Sequence, residues 1–260
     1  MTHELRLTYV GGPTVLLEWG GLRLLTDPTF DPAGSEYRLP SYVLRKTQAP
    51  ALPLESLESV DAVLLSHDHH FDNLDRAGRL ALEKAGKVLT TQAGASRLGG
   101  RAIGFTSWQS VEMLASNGRI LRVTATPARH GPPDGDRGPV TGFALAFADA
   151  PERFVYVSGD TVWFEGVREV SRRFAVKVAV LFMGAAHIPE VGPAHLTMTA
   201  AEGVEAARAF AGATIVPVHC EGWEHFSESR LQIEETFAAS GLTNRLQLPE
   251  RGRTLNPLLS

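Results

Sequence analysis

Strand-like runs that end in a histidine or an aspartate constrain the fold of this chain more than any other feature of its sequence. Five such runs are followed, directly or within a few residues, by a side chain able to bind a metal: Asp27, His67, His130, Asp160 and His219. In open α/β sheets, ligand sites gather outside the carboxyl ends of the strands. The pattern therefore predicts that these five side chains meet at one edge of a layered structure.

The order of the predicted elements favours a layered α/β architecture. The early strand-like runs are typical of antiparallel hairpins, whereas the later ones alternate with helical patterns. Three helices are predicted: one capped by Asp75 and ending at Gly86, one opened by a capping box from Thr199 to Glu202, and one capped by Ser227. The strand-like runs are residues 5–10, 14–19, 22–25, 60–65, 120–126, 141–147, 154–157, 176–183 and 214–218.

The composition is typical of one ordinary globular domain spanning residues 1–260. The net charge is −4, so the broad basic surface that nucleic-acid binding needs is not expected. No run reaches the roughly 18 apolar residues of a membrane helix, and the first residues lack the apolar core of a signal peptide. Cys220 is the only cysteine, which is compatible with a reducing compartment. We expect a cytoplasmic protein without a membrane span, acting on a small molecule, and homo-oligomerisation stays open.

The densest group of metal-binding residue types lies at residues 66–75, which read Ser-His-Asp-His-His-Phe-Asp-Asn-Leu-Asp. Imidazole and carboxylate groups suit Zn, Fe, Ni or Mn. Ligands two residues apart in an extended turn can bind one ion, and the carboxylate that follows can reach a second. The alternative is a solvated polar turn in which Asp72 or Asp75 caps the next helix.

This segment resembles the His-x-His-x-Asp-His motif of the metallo-β-lactamase superfamily. More narrowly, the chain is similar to the branch that contains ascorbate-6-phosphate lactonase and the N-acyl phosphatidylethanolamine phospholipase D enzymes. The resemblance implies a four-layer αββα sandwich and a metal-dependent hydrolase. The matching stretches follow the superfamily's order along the chain: residues 25–30, 66–75, 126–130, 158–161, 195–202 and 216–219.

The motif departs from the superfamily pattern at its centre. One alignment uses His67 and His69 and needs an inserted residue, whereas the other places Asp68 and His70 at the two histidine positions. Both put Asn73 where the second ion normally finds a histidine. Because Asn is a weak neutral ligand, the sequence predicts either one ion, or a second, harder ion such as Mn.

The resemblance also implies roles for the remaining candidates. His130 and His219 would be ligands, and Asp160 would bridge two ions, although each could instead be an ordinary loop, strand-end or capping residue. Asp27 would orient the site from behind, and His195 would face the substrate as a proton donor or anion stabiliser, or simply precede a helix. The candidate metal ligands are thus His67, His69, His70, Asp72, His130, Asp160 and His219.

The other site candidates are expected around this set of ligands. Asp68 and Asn73 would lie behind the ligands or against the substrate. Trp223 would wall the pocket or serve as a core residue. His187 and His225 are expected at structural positions or on the substrate rim, and Cys220 as a small buried residue.

Three functions follow from these residues. The first is a hydrolase that uses Zn, or alternatively Mn or Fe, as one or two ions to activate water. Asp72 would orient or deprotonate that water and His195 would assist the leaving group. The substrate would be a lactone, a thioester or a phosphodiester, with specificity carried by loops at residues 28–53 and 131–139. The alternatives are an iron-dependent oxidoreductase and a non-catalytic sensor that retains the fold.

Overall fold

The computed structural model describes residues 4–134 and 137–259. The predicted specificity loop at 131–139 therefore lies partly outside the described residues. The strands are β1 Leu5–Gly11, β2 Thr14–Trp19, β3 Leu22–Thr26, β4 Glu36–Arg38, β5 Val43–Arg45, β6 Val60–Leu64, β7 Ala85–Thr91, β8 Ala102–Phe105, β9 Ser110–Leu114, β10 Ile120–Pro127, β11 Thr141–Phe147, β12 Phe154–Val157, β13 Val176–Phe182, β14 Thr214–Val218 and β15 Thr254–Leu255. The α-helices are α1 Arg76–Ala81, α2 Gln92–Leu98, α3 Glu165–Arg173, α4 Ala200–Ala209 and α5 Arg230–Ala239, with short 3-10 turns at Leu54–Ser56, Leu82–Lys84 and Thr243–Arg245.

Two large sheets form the middle of the molecule. The first has the strand order β15-β1-β2-β3-β6-β7-β8, and the second has the order β14-β13-β12-β11-β10-β9. β13 reads Val-Lys-Val-Ala-Val-Leu-Phe and pairs in parallel with β12 and β14. A nearly continuous apolar run suits this position, because a central parallel strand is covered on both faces.

Three apolar clusters define four layers. The largest lies between the sheets and combines side chains such as Leu17 and Leu64 of the first sheet with Leu121 and Phe143 of the second. A second cluster packs α1 and α2 against the outer face of the first sheet. A third packs α3, α4 and α5 against the outer face of the second sheet. The predicted αββα sandwich is therefore confirmed, and no helix of the described residues has the length and apolar character needed to cross a bilayer.

The strand directions bring the predicted site residues to one edge. β3 and β6 run parallel, and so their carboxyl ends lie side by side. β10 and β12 are both antiparallel to β11, while β14 is parallel to β13 and through it to β12. The carboxyl ends of β10, β12 and β14 therefore share one edge of the second sheet, and the loops that follow all five strands can converge.

Two predicted helix boundaries were wrong. The helix capped by Asp75 ends at Ala81, and the segment expected to complete it instead forms a 3-10 turn and then β7, because Val88 and Leu89 are buried beside β6. The last helix is capped by Ser229, which forms a capping box with Gln232, and not by Ser227. The capping box predicted for α4, between Thr199 and Glu202, is present with both of its hydrogen bonds.

The segment at residues 28–53, expected to be a plain loop, contains the two-stranded sheet of β4 and β5. Its Tyr37 and Leu44 are buried in a small apolar cluster that also contains Ala186 and Trp223. The hydroxyl of Tyr37 donates to Asp31 Oδ2 at 2.5 Å. This segment is thus packed onto the molecule beside the loops that carry the candidate site.

Gly78 in α1 gives a first prediction about stability. A Cβ atom at this position would lie 1.8 Å from the backbone oxygen of Pro28. Alanine normally favours a helix interior by about 1 kcal/mol over glycine, but overpacking typically costs about 1–3 kcal/mol or more. We expect Gly78→Ala to lower the free energy of unfolding, as measured by chemical denaturation. Ser96→Ala on the exposed face of α2 should change it by less than about 0.5 kcal/mol, and a Gly78→Ala protein as stable as the wild type would contradict the packing.

Candidate metal centre

The candidate centre begins with a contact between the loops that follow two parallel strands. Asp27 comes directly after β3, and its Oδ1 accepts a 2.6 Å hydrogen bond from the backbone amide of Ser66, after β6. The carboxyl group is buried, which raises its pKa to about 8. Asp27 thereby holds the first residue of the 66–75 segment in place. The sequence predicted that Asp27 would lie behind the ligands in this way.

The rings of His67, His70 and His130 lie close together. The Nε2 atom of His67 lies 2.9 Å from Nδ1 of His70, and Nε2 of His130 lies 3.2 Å from the same Nδ1. On its other side, Nδ1 of His130 lies 2.9 Å from the carbonyl oxygen of Leu196. Because a carbonyl can only accept, this Nδ1 carries the proton, and Nε2 of His130 has a lone pair for a cation.

His69 has the opposite ring orientation. Its Nε2 faces the carbonyl oxygen of Arg137 at 2.9 Å and must therefore be the N–H donor. Its Nδ1 is buried and has no hydrogen-bond partner among the described residues. Nitrogen atoms of His67, His69 and His70 lie within 4.8 Å of one another, and so all three can contribute to one ion.

Asp160 joins this group to a second one. Ligand atoms of His67, His130 and Asp160 lie within 4.8 Å of one another, and so do those of Asp72, Asp160 and His219. The Oδ2 atom of Asp160 lies 3.6 Å from Nε2 of His130, while its Oδ1 lies 3.4 Å from Nε2 of His219. Asp160 therefore faces both groups, one with each oxygen.

Two histidines of the first group, His67 and His70, are uncharged and can therefore bind a cation. Burial lowers the pKa of His67 well below its ordinary value, and burial together with His130 lowers the pKa of His70 to about 3. Both rings are therefore neutral at physiological pH. Neutral imidazole is the form that binds metals.

The second group carries opposite charges. Burial alone would raise the pKa of the Asp160 and Asp72 carboxyl groups, but the neighbouring histidines lower it below the ordinary value. Burial would lower the pKa of His219, but Asp160 and Asp72 raise it to about 10. The two carboxylates thus require a positive charge beside them, which a metal cation can supply in place of a proton.

The residues fit a metal in two further respects. Both carboxylate oxygens of Asp160 and both ring nitrogens of His219 are buried without a hydrogen-bond partner in the described part of the chain, which is costly unless something else binds them. In addition, ligands 2.0–2.2 Å from a tetrahedral ion are about 3.3–3.6 Å apart. The separations of 3.4 and 3.6 Å between the Asp160 oxygens and the two histidines match this spacing.

The backbone is strained in the loops that follow β3 and β14. Asp27 has a φ of 20° and His219 a φ of 54°, in the left-handed region that non-glycine residues seldom adopt. Such residues cost on the order of 1–3 kcal/mol and persist only where surrounding contacts hold them. The backbone amide of His219 donates to the carbonyl oxygen of Gly12 at 2.8 Å, which holds this turn against the first sheet.

Not every predicted residue joins the cluster. His195 Nε2 lies 3.0 Å from Oε2 of Glu202, the carboxylate that closes the α4 capping box, and this bond raises the pKa of His195. Asp68 turns away and forms an ion pair with Arg97 of α2, at 2.5 and 2.8 Å. These two side chains are held by helices rather than by the site.

Three further predicted residues lie on the ligand-bearing loops but outside the two His/Asp groups. Asn73 is completely buried, and both of its amide atoms lack partners among the described residues. Trp223 packs against Tyr37, with ring centroids 5.6 Å apart. Cys220 is a buried free thiol whose pKa burial raises to about 12.

His225, expected at a structural position or on the substrate rim, lies against Asp72. Its Nε2 lies 3.0 Å from Oδ2 of Asp72, the oxygen that also lies 3.6 Å from Nε2 of His219. The resemblance gave no ligand motif at this position. The available signal was local: His225 follows His219 by six residues, in a segment that also carries Trp223 and Phe226.

Two connected cavities lead to the cluster. The inner one is narrow and has His70, Asp72 and His130 on its wall. The remaining lining residues are the apolar Leu44, Ala186, Ile188 and Leu196 together with Tyr42, Arg137 and His225. The outer cavity has a volume of about 510 Å³. The two share four lining residues: Tyr42, Leu44, Ile188 and His225.

A four-layer sandwich with a His/Asp cluster at the strand ends is the arrangement of the metallo-β-lactamase superfamily. The family model described as the beta-lactamase superfamily domain matches residues 22–220, and the chain belongs to this family. That range includes every predicted metal ligand, from His67 to His219, and also Asp27.

Homologous proteins extend the match over nearly the whole chain. UPF0173 protein YddR of Bacillus subtilis is 25% identical over 263 residues, which cover 96% of this chain and 99% of YddR. A UPF0173 metal-dependent hydrolase of Aeropyrum pernix is 27% identical over 229 residues, covering 82% of this chain and 81% of that protein. The crystal structure of an isothiocyanate hydrolase from Delia radicum gut bacteria superposes with a TM-score of 0.82 at 25% identity, covering 96% and 98% of the two chains.

Proposed function

We propose that this chain, a metal-dependent hydrolase of the metallo-β-lactamase superfamily, cleaves small uncharged molecules at an electrophilic carbon. The candidate substrates are ester-type compounds, namely lactones and thioesters, as in the lactonase-like branch that the motifs resemble, and isothiocyanates. The observation that carries the proposal is the narrow inner cavity, in which the apolar side chains of Leu44, Ile188 and Leu196 lie beside the buried His/Asp cluster. A small uncharged molecule loses little hydration beside these apolar side chains, whereas a charged phosphodiester would depend on Arg137 and the metal to offset the loss of its hydration.

The metal, expected to be zinc, would be held by His67, His69, His70, Asp72, His130, Asp160 and His219. When bound by these groups, a divalent cation would lower the pKa of water and polarise the bond to be cleaved.

The side chains around the ligands would orient the reactants. Asp72 would accept a hydrogen bond from the attacking water and align it with the electrophilic carbon. Arg137, on the inner cavity wall, donates to the Tyr42 hydroxyl at 3.3 Å, and its Nε lacks a partner within the described residues. It would bind the polar atom of the substrate, while Leu44, Ile188 and Leu196 exclude bulk water.

Activity assays with a small substrate panel test this proposal. The panel contains a γ-lactone, an acyl thioester, benzyl isothiocyanate and bis(p-nitrophenyl) phosphate. We expect turnover of at least one carbon electrophile and little of the phosphodiester. Removing the metal with a chelator should abolish turnover, and adding zinc should restore it.

The same assays separate the alternative functions. A metal-loaded protein that hydrolyses none of the carbon electrophiles would overturn the proposal and favour a binding protein. Oxygen uptake by the iron-loaded protein would instead favour an oxidoreductase. The zinc-loaded protein should consume no oxygen, because zinc is redox-inert.

A further inference from the structure

The second half of the candidate centre lacks the histidine that the superfamily motif places beside its aspartate. Residue 73 is an asparagine, and an amide oxygen is a weaker ligand than imidazole. We infer that His225, on the loop after β14, supplies the missing nitrogen and completes a second metal site with Asp72, Asp160 and His219. This inference depends on the metal centre and not on the substrate proposed above.

The geometry around Asp72 carries the inference. The Oδ2 atom of Asp72 lies 3.6 Å from Nε2 of His219 and 3.0 Å from Nε2 of His225. Each of the two rings therefore directs its own Nε2 atom at the same carboxylate oxygen. Ligands of a tetrahedral zinc ion are about 3.3–3.6 Å apart. The separations of 3.6 and 3.0 Å from Asp72 Oδ2 to the two rings lie within a few tenths of an ångström of that spacing.

The position of His225 is fixed from several sides. Its carbonyl oxygen accepts a 2.8 Å hydrogen bond from the amide of His187, and the preceding amide, of Glu224, donates to Arg45 at 3.0 Å. The ring lies 4.7 Å from that of Phe226, and the side chain is only 9% exposed. A ligand held in this way loses little conformational entropy when it binds an ion.

Asn73 is the competing ligand for the same ion. Its side chain is completely buried, and neither of its amide atoms has a partner in the described segments. However, an ion bound through Asn73 would leave the His225 ring with only a hydrogen bond to Asp72. The two arrangements differ in which substitution removes the ion.

A glutamine at position 225 separates ligation from hydrogen bonding. Glutamine can still donate a hydrogen bond to Asp72 through its amide, but it is a poor metal ligand. If His225 only orients Asp72, His225→Gln should keep the second ion. If His225 binds the ion, the variant should lose it.

The experiment counts zinc in the full-length protein after equilibration with a buffered zinc concentration. We expect two ions in the wild type, one in His225→Gln, and a second-ion affinity reduced at least about a hundredfold, beyond the effect of losing a group that merely supports a ligand. His195→Gln is the matched control, since His195 is bonded to Glu202 outside the cluster, and it should keep two ions. Cobalt substitution provides an independent readout through the absorption bands of the second site.

Three results would overturn the inference: two ions retained in His225→Gln, a single ion in the wild type, or loss of the second ion in Asn73→Ala but not in His225→Gln. If His225→Gln does not fold, histidine ¹⁵N shifts of the zinc-loaded wild type answer the same question. A His225 Nε2 that still carries a proton would then reject ligation. None of these measurements uses a substrate, and so a failure of the proposed hydrolysis would be seen separately.

Discussion

Replacing Asp160 with alanine is expected to release the bound metal and to lower the hydrolytic rate on the order of a thousandfold or more, because the nucleophile depends on the metal. Asp160 directs one oxygen toward His130 and the other toward His219, and so its loss affects both groups of ligands. The measurements are metal content by mass spectrometry and turnover of the best substrate in the panel.

The same substitution should leave the metal-free protein folded. Neither oxygen of the buried Asp160 carboxylate has a hydrogen-bond partner among the described residues, so no hydrogen bond is lost, and His219 keeps Asp72 as a charge partner. Asp149→Ala is the matched control, since this exposed carboxylate pairs with Arg119 at the surface. An Asp160→Ala protein with native metal content and rate would contradict the proposed centre.

Lys46→Met is expected to destabilise the protein by about 3–5 kcal/mol, the usual cost of leaving a buried charge without its partner. The Nζ atom of Lys46 lies 2.9 Å from Oδ2 of Asp75, and both side chains are almost completely buried. Asp75 also accepts hydrogen bonds from the amides of Phe30, Asp31 and Gly78. It therefore ties the segment at residues 28–53 to the end of the ligand-bearing loop.

Thermal and chemical unfolding measure this effect. For a chain of this size, the expected loss corresponds to a decrease in Tm of roughly 10 °C. Arg122→Met is the control: Arg122 pairs with Glu112 at 2.8 Å, but both side chains are more than half exposed. Its replacement should cost about 0–1 kcal/mol. Equal losses for the two variants would show that the buried pair has no special role.

The strands that carry the site were predictable because their sequence signals are local. β2, β11, β12 and β14 begin and end at the predicted residues, since each is an apolar run bounded by turn residues. β7 was missed because Gly86 and Lys87 interrupt its apolar pattern, and only its position beside β6 makes it a strand. Tertiary packing of this kind leaves no local signal.

In the candidate site, too, some features were predictable from local sequence and others depend on tertiary packing. Asp160 and His219 could be placed by motif order, whereas the register of the 66–75 segment could not. The ring orientations of His69 and His130 depend on the carbonyl groups of Arg137 and Leu196, which are distant in sequence. The approach of His225 to Asp72 likewise depends on the loop after β14 folding back over the site, which no spacing rule predicts.

Anomalous diffraction from crystals of the zinc-loaded protein, recorded on both sides of the zinc absorption edge, tests the central claim most directly. We expect peaks about 2.0–2.2 Å from ligand atoms, one among His67, His130 and Asp160 and another among Asp72, Asp160 and His219. Zinc found elsewhere on the surface, with these side chains making no contact to an ion, would contradict the account.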